Sequence, residues 1–232
     1  MRLNKFIADC GVSSRRKAEE FIISGRISVD KKIVTDLSKK VDPQKDEVSL
    51  DGEKLYLKKH LYILLNKPKG VVTTTDDEKN RKTVIDLLKT KERIYPVGRL
   101  DYNTTGVLIL TNDGDFKNLL THPKSKVPRE YEVKLNKDLT EEDKETLLKG
   151  VYIDNKKGKF TKVKLFKSKK FVIIECVEGR NHFVKNMFGA LGYYVESLNR
   201  NSYAGIKIDI PIGSYRNLTA DEIKQIIKYY GN

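Results

Sequence analysis

Val107-Leu108-Ile109-Leu110 is an unbroken apolar run of strand formers, bounded by Gly106 on one side and by the turn signal Asn112-Asp113-Gly114 on the other. It reads as a buried strand, so this part of the chain is committed to a sheet that something must cover. Just upstream stands one carboxylate, Asp101, with Arg99 two residues before it and Asn103, Thr104 and Thr105 after it. A lone acid beside a buried strand, on a loop rich in glycine and hydroxyls, is where enzymes tend to place a reacting group. On those residues alone, an aspartate capping its own turn is the simpler reading.

The rest of the chain shifts that balance. Leu3, Phe6, Ile7 and Cys10 recur at helical spacing up to Gly11, and Ser13 and Ser14 offer caps for a second helix with Ala18, Phe21 and Ile22 inward. Short strands are expected at 27–29, 32–34 and around Val48 to Leu50, with a turn at Asp51-Gly52. Beyond a connector near Leu57 to His60, strands are expected from Tyr62 to Leu65, through Val71 to Thr74, and from Arg129 to Leu135. Three more are expected at 151–154, 163–166 and 171–177. In the Arg129 strand, Tyr131, Val133 and Leu135 fall on one face. Helices are predicted over 83–88, 115–120, 140–148, 181–191 and 221–230, and Asn155 to Gly158 reads as a turn. Strands and helices mixed without regular alternation predict an α+β fold on a largely antiparallel sheet. No internal repeat, low-complexity segment or glycine-rich nucleotide loop is present.

Lys and Arg outnumber Asp and Glu 46 to 32, a formal net charge of +14 spread along the chain. Such a balance favours a polyanionic partner, nucleic acid before membrane, and the Tyr and Phe residues are available for stacking on bases. Cys10 and Cys176 are far apart, and His60, His122 and His182 make no ligand-spaced set with them, so neither a disulfide framework nor a metal site is expected. With no long apolar run for a leader or a membrane span, the expectation is a soluble cytoplasmic chain.

Arg15, Arg16 and Lys17 crowd the first turn of the second predicted helix, where the dipole favours acids. Cations at that end, beside free N–H groups, suit a phosphate. Four pieces in order, Arg2-Leu3-Asn4-Lys5, Ser14-Arg15-Arg16-Lys17-Ala18, Gly25-Arg26-Ile27-Ser28-Val29-Asp30 and Val41-Asp42-Pro43, resemble the S4 RNA-binding module over most of residues 1–50. That resemblance implies a small α/β module docking structured RNA, with Lys5, Arg15, Arg16, Lys17 and Arg26 as phosphate contacts. Contacts of that kind position a protein on RNA without reading sequence.

Four further pieces follow in the chain. They are Leu65-Asn66-Lys67-Pro68-Lys69-Gly70, Gly98-Arg99-Leu100-Asp101 with Thr105-Gly106, Arg129-Glu130-Tyr131, and Glu178-Gly179-Arg180-Asn181-His182-Phe183-Val184-Lys185-Asn186-Met187. In this order, behind the S4-like module, they closely resemble the RsuA/RluB family of rRNA pseudouridine synthases across essentially the whole chain. The resemblance implies an S4-like domain at 1–57 joined to a two-part catalytic domain at 58–232, built on a mostly antiparallel sheet with the cleft across it. It further implies a reaction without cofactor or metal, on ribosomal RNA or a pre-ribosomal particle, by a monomer.

By the same resemblance Asp101 is the catalytic carboxylate, attacking C1′ or removing the C2′ proton of a uridine, and both routes stay open. Lys185 matches the basic partner of that carboxylate. Tyr131 matches the tyrosine that stacks on the target base, and Arg99 an arginine that holds the extruded nucleotide. Lys67 and Lys69 bring charge to a strand end and are expected to contact RNA, and Arg180, Asn181 and His182 are expected to form an RNA-phosphate site at a predicted helix start. Cys176 reads as an inert core thiol. Two positions depart from the family pattern: Phe183 replaces a Gln, and Asn186 replaces an Arg or Lys. With no basic tail expected after the last helix, RNA docking falls to the S4-like module and the cleft. The motifs around Asp101, His122-Pro123-Lys124 and Tyr131 look closer to the large-subunit (23S) branch than to the small-subunit (16S) one. A transfer-RNA target fits the S4-like module less well. A non-catalytic RNA-binding assembly factor is the alternative, although it has no need of Asp101.

Overall fold

The computed structural model describes residues 1–231. They divide into two compact units, one formed by Met1–Leu61, Thr90–Arg93 and Asn112–Gly114, the other by Tyr62–Lys89, Ile94–Thr111 and Asp115 onward.

In the first unit, α1 (Leu3–Asp9) and α2 (Arg15–Ile23) are followed by β1 (Ile27–Val29), β2 (Lys32–Ile33), β3 (Val48–Leu50) and β4 (Glu53–Lys54). The sheet order is β2-β1-β3-β4. Ser14 caps α2 by accepting a hydrogen bond from the Lys17 N–H at 3.1 Å. Leu3, Phe6, Ile7, Ala18, Ile22, Ile27, Val29 and Val48 pack into one core. Both hairpins turn on residues with positive φ, Asp30-Lys31 and Asp51-Gly52, which gives the turn the same hand as the strand twist.

The second unit contains β5 (Tyr62–Lys67), β6 (Tyr95–Pro96), β7 (Thr105–Thr111), α3 (Gly114–Thr121) from its second residue on, β8 (Arg129–Leu135) and α4 (Glu141–Lys149). Then come β9 (Val151–Ile153), β10 (Lys156–Gly158), β11 (Lys162–Leu165), β12 (Phe171–Cys176), α5 (Phe183–Gly189), β13 (Val195–Tyr203), β14 (Ile206–Lys207), β15 (Tyr215–Asn217) and α6 (Ala220–Tyr230). One sheet runs β11-β12-β8-β13-β7-β5-β15, with β14 on β13 and β6 on β7. Every pairing is antiparallel except β13 with β7, where Asn199 faces Thr105 and Arg200 faces Gly106. That parallel seam joins the two halves of the sheet. Gly106 is required there: a Cβ on it would lie 2.2 Å from the Arg200 carbonyl oxygen.

All seven residues of β7 are buried. Val107 and Ile109 pack with Phe116 and Leu120 of α3 and with Ile226 of α6. Leu108 and Leu110 are equally buried. Four fully buried aliphatic side chains contribute roughly 6–12 kcal/mol as an upper bound, enough to make β7 the fixed reference of the domain.

Four expectations are corrected. Residues 71–74 form no strand; Val72 only bridges to Thr83. Residues 83–88 form no helix, because the Asp86 carboxylate accepts from both the N–H and the hydroxyl of Thr83 at 2.7 and 3.0 Å and closes a local turn instead. Lys156 to Gly158 is strand, and the turn is Asp154-Asn155, both with positive φ. Finally α5 begins at Phe183 and not at Asn181, since His182 before it has φ 51°.

Candidate active site

A cleft of about 560 Å³ opens over the parallel seam of the nine-stranded sheet, within the range that holds a small-molecule-sized ligand. Asp101, Arg99, Tyr131 and Lys185 all line it, as do Arg180 and His182. Their carriers are a loop, a strand and a helix far apart in sequence, brought together because β7, β8 and β13 are neighbours.

The Asp101 loop is held from beneath. The Thr73 hydroxyl donates to the Leu100 carbonyl at 2.7 Å, and the Thr104 N–H closes back on the Asp101 carbonyl at 3.0 Å. Lys67 does the most. Its ammonium donates to the carbonyls of Pro68, Asp101, Tyr102 and Thr104 at 3.0, 3.1, 3.4 and 3.0 Å. The expectation that Lys67 contacts RNA is therefore corrected: it is 0% exposed and spends its donors on the main chain. Burial pushes its pKa down to about 8, opposed by the nearby Asp101 charge and reinforced by Arg200.

With the loop fixed, the Asp101 carboxylate meets two basic side chains. Lys185 Nζ donates to Oδ2 at 2.5 Å, and His182 Nε2 lies 3.4 Å from Oδ1. Lys185 stands in the first turn of α5, a helix anchored by buried Phe183, Val184, Met187 and Phe188. Phe160 packs against the rings of both Phe183 and Phe188. Phe183, at the position of the missing Gln, is thus part of an aromatic core. The left-handed backbone at His182, uncommon for a non-glycine residue, directs its ring to the carboxylate side of the cleft.

Tyr131 is 8% exposed at the cleft wall. Burial raises its phenol pKa, while Arg200 and then Arg129 act in the opposite direction. Cys176 also lines the cleft, but burial raises its thiol to about 12, so it is no nucleophile at neutral pH. Arg99 is exposed and has no hydrogen-bond or ion-pair partner among the described residues. Arg180 is tied to Glu178 at 2.8 Å and to the carbonyls of Ile153 and Lys156. It supports the wall with most of its donors already taken. Asn181 and Lys69 are exposed and lie outside the cleft lining.

In the other unit, Arg15 and Arg16 are exposed without a carboxylate partner among the described residues. Lys17 pairs with Glu20 at 2.5 Å, Lys5 with Asp9 at 3.3 Å, and Arg26 forks onto Asp51 over the Phe21 ring.

Several cleft residues are not assigned a role by the sequence alone: Arg129, Lys156, Lys157, Thr104 and Arg200. Arg129 stands inside the Arg129-Glu130-Tyr131 motif. Arg200 has one usable signal, a cation two residues after Leu198 on the same face of a strand-like stretch.

A sequence model described as RNA pseudouridylate synthase matches residues 61–190, and one described as S4 domain matches residues 1–48. Ribosomal large subunit pseudouridine synthase B of Bacillus subtilis (strain 168) is 41% identical, with 97% of this chain and 95% of that protein covered. A relative from Aquifex aeolicus (strain VF5), named as an uncharacterized RNA pseudouridine synthase, is 37% identical over 100% of this chain and 95% of its own. Among solved structures, one titled as a crystal structure of pseudouridylate synthase aligns with TM-score 0.70 and 30% identity, covering 97% of this chain and 99% of that one. No helix among the described residues is long and apolar enough to cross a membrane.

Proposed function

The chain belongs to the RNA pseudouridylate synthase family, and on that premise we propose that it converts one uridine of ribosomal RNA, in the large subunit, to pseudouridine through Asp101. The observation that carries the reading is a carboxylate fixed by main-chain contacts and ion-paired to Lys185 in a cleft of nucleotide size. The large-subunit assignment rests on the Bacillus relative's name. A ribosomal target favours the cytoplasm.

The reaction opens the N1–C1′ bond, turns the base, and closes a C5–C1′ bond. In one route an Asp101 oxygen bonds C1′ as the base departs as an anion, and C5 later displaces that oxygen. In the other, Asp101 takes the C2′ proton, the C–H electrons form C1′=C2′ and expel the base, and the proton returns to C2′ when C5 adds. Both routes end with the C5 hydrogen lost and N1 protonated. Both need an ionised carboxylate at the start, and Lys185 supplies its counter-charge. In this reading Tyr131, in the cleft wall, stacks on the base and assists the closing proton transfers, and Arg99 grips a phosphate of the flipped nucleotide. Residues 1–57 would dock the RNA through Arg15 and Arg16, the two basic residues of α2 that no acid neutralises among the described residues.

Because C5 loses its hydrogen, RNA carrying tritium at uridine C5 releases it as water. Purified protein should release tritium from large-subunit transcripts and not from small-subunit ones. Release only from small-subunit transcripts would move the target, and release from neither would leave an RNA-binding protein without this activity.

A further inference from the structure

We propose that Arg200 is a substrate-contacting cation: its free Nη2 donates to a carbonyl oxygen of the target uracil and holds the negative charge that the base carries once the glycosidic bond has opened. This deepens the reading above and rests on it.

Arg200 is 2% exposed, yet no carboxylate among the described residues neutralises it. Its Nε donates to the Val107 carbonyl at 2.7 Å, and its guanidinium lies 4.7 Å from the Tyr203 ring centre. The guanidinium also interacts with the Tyr131 phenol of the cleft wall; these contacts lock the side chain, and Nη2 stays buried without a hydrogen-bond partner. A buried, unpaired charged donor costs far more than a surface one, so such an atom persists where a ligand completes it. Arg200 lines the cleft that holds Asp101 and Tyr131.

The same cleft contains two more orphans: Arg180 Nη2, whose Nε and Nη1 are held by Glu178 and two carbonyls of the wall, and Thr104 Oγ1 at the seam itself. Thr104 Oγ1 is buried in a residue 2% exposed and also lacks a partner. Thr104 stands two residues before Gly106, which faces Arg200 across the parallel seam. A charged donor and a hydroxyl, both unspent at one seam, match the alternating carbonyl and N–H edge of uracil. The chemistry asks for such a cation. When N1–C1′ breaks, the bonding pair stays with the base and spreads over N1 and the carbonyl oxygens. Lys185 cannot serve both ends, since it is committed to Asp101. A fixed, water-shielded cation at the base end stabilises that charge without reorganising.

The test uses the full chain and an RNA fragment containing the mapped target, in two forms: with uridine, and with a base-less tetrahydrofuran residue at that position. Affinities are measured in an Asp101→Asn background so that the base is not rearranged, with and without Arg200→Met. Arg200→Met should weaken binding of the uridine RNA about tenfold or more while leaving the base-less RNA unchanged, and with Asp101 intact should lower the single-turnover rate by roughly a hundredfold or more. If Arg200→Met does not fold, Arg200→Lys carries the same comparison, because a lysine cannot reach the Val107 carbonyl and the cleft together. Equal weakening on both RNAs, or an unchanged rate, overturns the inference and marks Arg200 as structural. Wild-type protein that forms no pseudouridine would instead overturn the proposed function itself, and this inference with it.

Discussion

Lys185 Nζ and Asp101 Oδ2 stand 2.5 Å apart although 84 positions separate them in the chain. The pair joins two distant segments of the catalytic domain: a loop ahead of β7 supplies the acid, and the first turn of α5 supplies the cation. His182 lies 3.4 Å from the other oxygen, so the carboxylate is flanked on both sides.

Replacing Lys185 by Met should lower the single-turnover rate by about 10²–10³ while RNA affinity stays within a few-fold, since the lysine acts on a reacting group and not on phosphate. Lys185→Arg should retain more activity than Lys185→Met. A defect confined to affinity would place Lys185 in RNA docking instead.

Lys67 gives a prediction about stability and pH. Its folded pKa, about 8, lies below the ordinary lysine value of 10.5, so the unfolded chain binds more protons between those values. Stability attributable to Lys67 therefore rises with pH across that window, and below pH 8 the fold bears the full cost of the buried charge, about 3 kcal/mol. Chemical denaturation of wild type and Lys67→Met, compared from pH 7 to 10, should show the wild-type advantage widening as pH rises. An advantage that shrinks or stays flat contradicts the buried-cation account.

Arg15 and Arg16 should act as phosphate ligands. Changing both to Ala should weaken RNA binding and flatten the plot of log affinity against log salt by roughly 0.7–0.9 for each phosphate no longer neutralised. An unchanged slope removes them from the interface. Lys17 and Arg26, already paired with Glu20 and Asp51, should give smaller changes.

Much of this architecture is legible in the residues. The apolar run 107–110 announces β7, the serine before Arg15 announces α2, and alternation from Arg129 places Tyr131 inward. Local signals fail where the fold decides. Thr83 to Leu88 has helical spacing, but Asp86 closes a tighter turn. Val195–Tyr203, the strand that completes the seam, alternates weakly and carries polar residues on its inward face, so its pattern does not stand out. Arg200 is hard to pick out for the same reason: its spacing from Leu198 is the one signal, and a strand arginine looks solvent-facing until the neighbour it lies against is known. Lys67 misleads in the opposite way, since a lysine beside Pro and Gly reads as surface charge and only the assembled loop reveals four carbonyls around it.

The central claim, that Asp101 performs uridine isomerisation on large-subunit ribosomal RNA, is tested most directly in cells. Carbodiimide-dependent reverse-transcription stops are mapped across ribosomal RNA from a strain lacking this protein, then from the same strain carrying wild type or Asp101→Asn. One stop in the large-subunit RNA should vanish on deletion, return with wild type, and stay absent with Asp101→Asn although that variant still binds RNA within a few-fold of wild type. A full set of stops in the deletion strain, or a stop restored by Asp101→Asn, would contradict it.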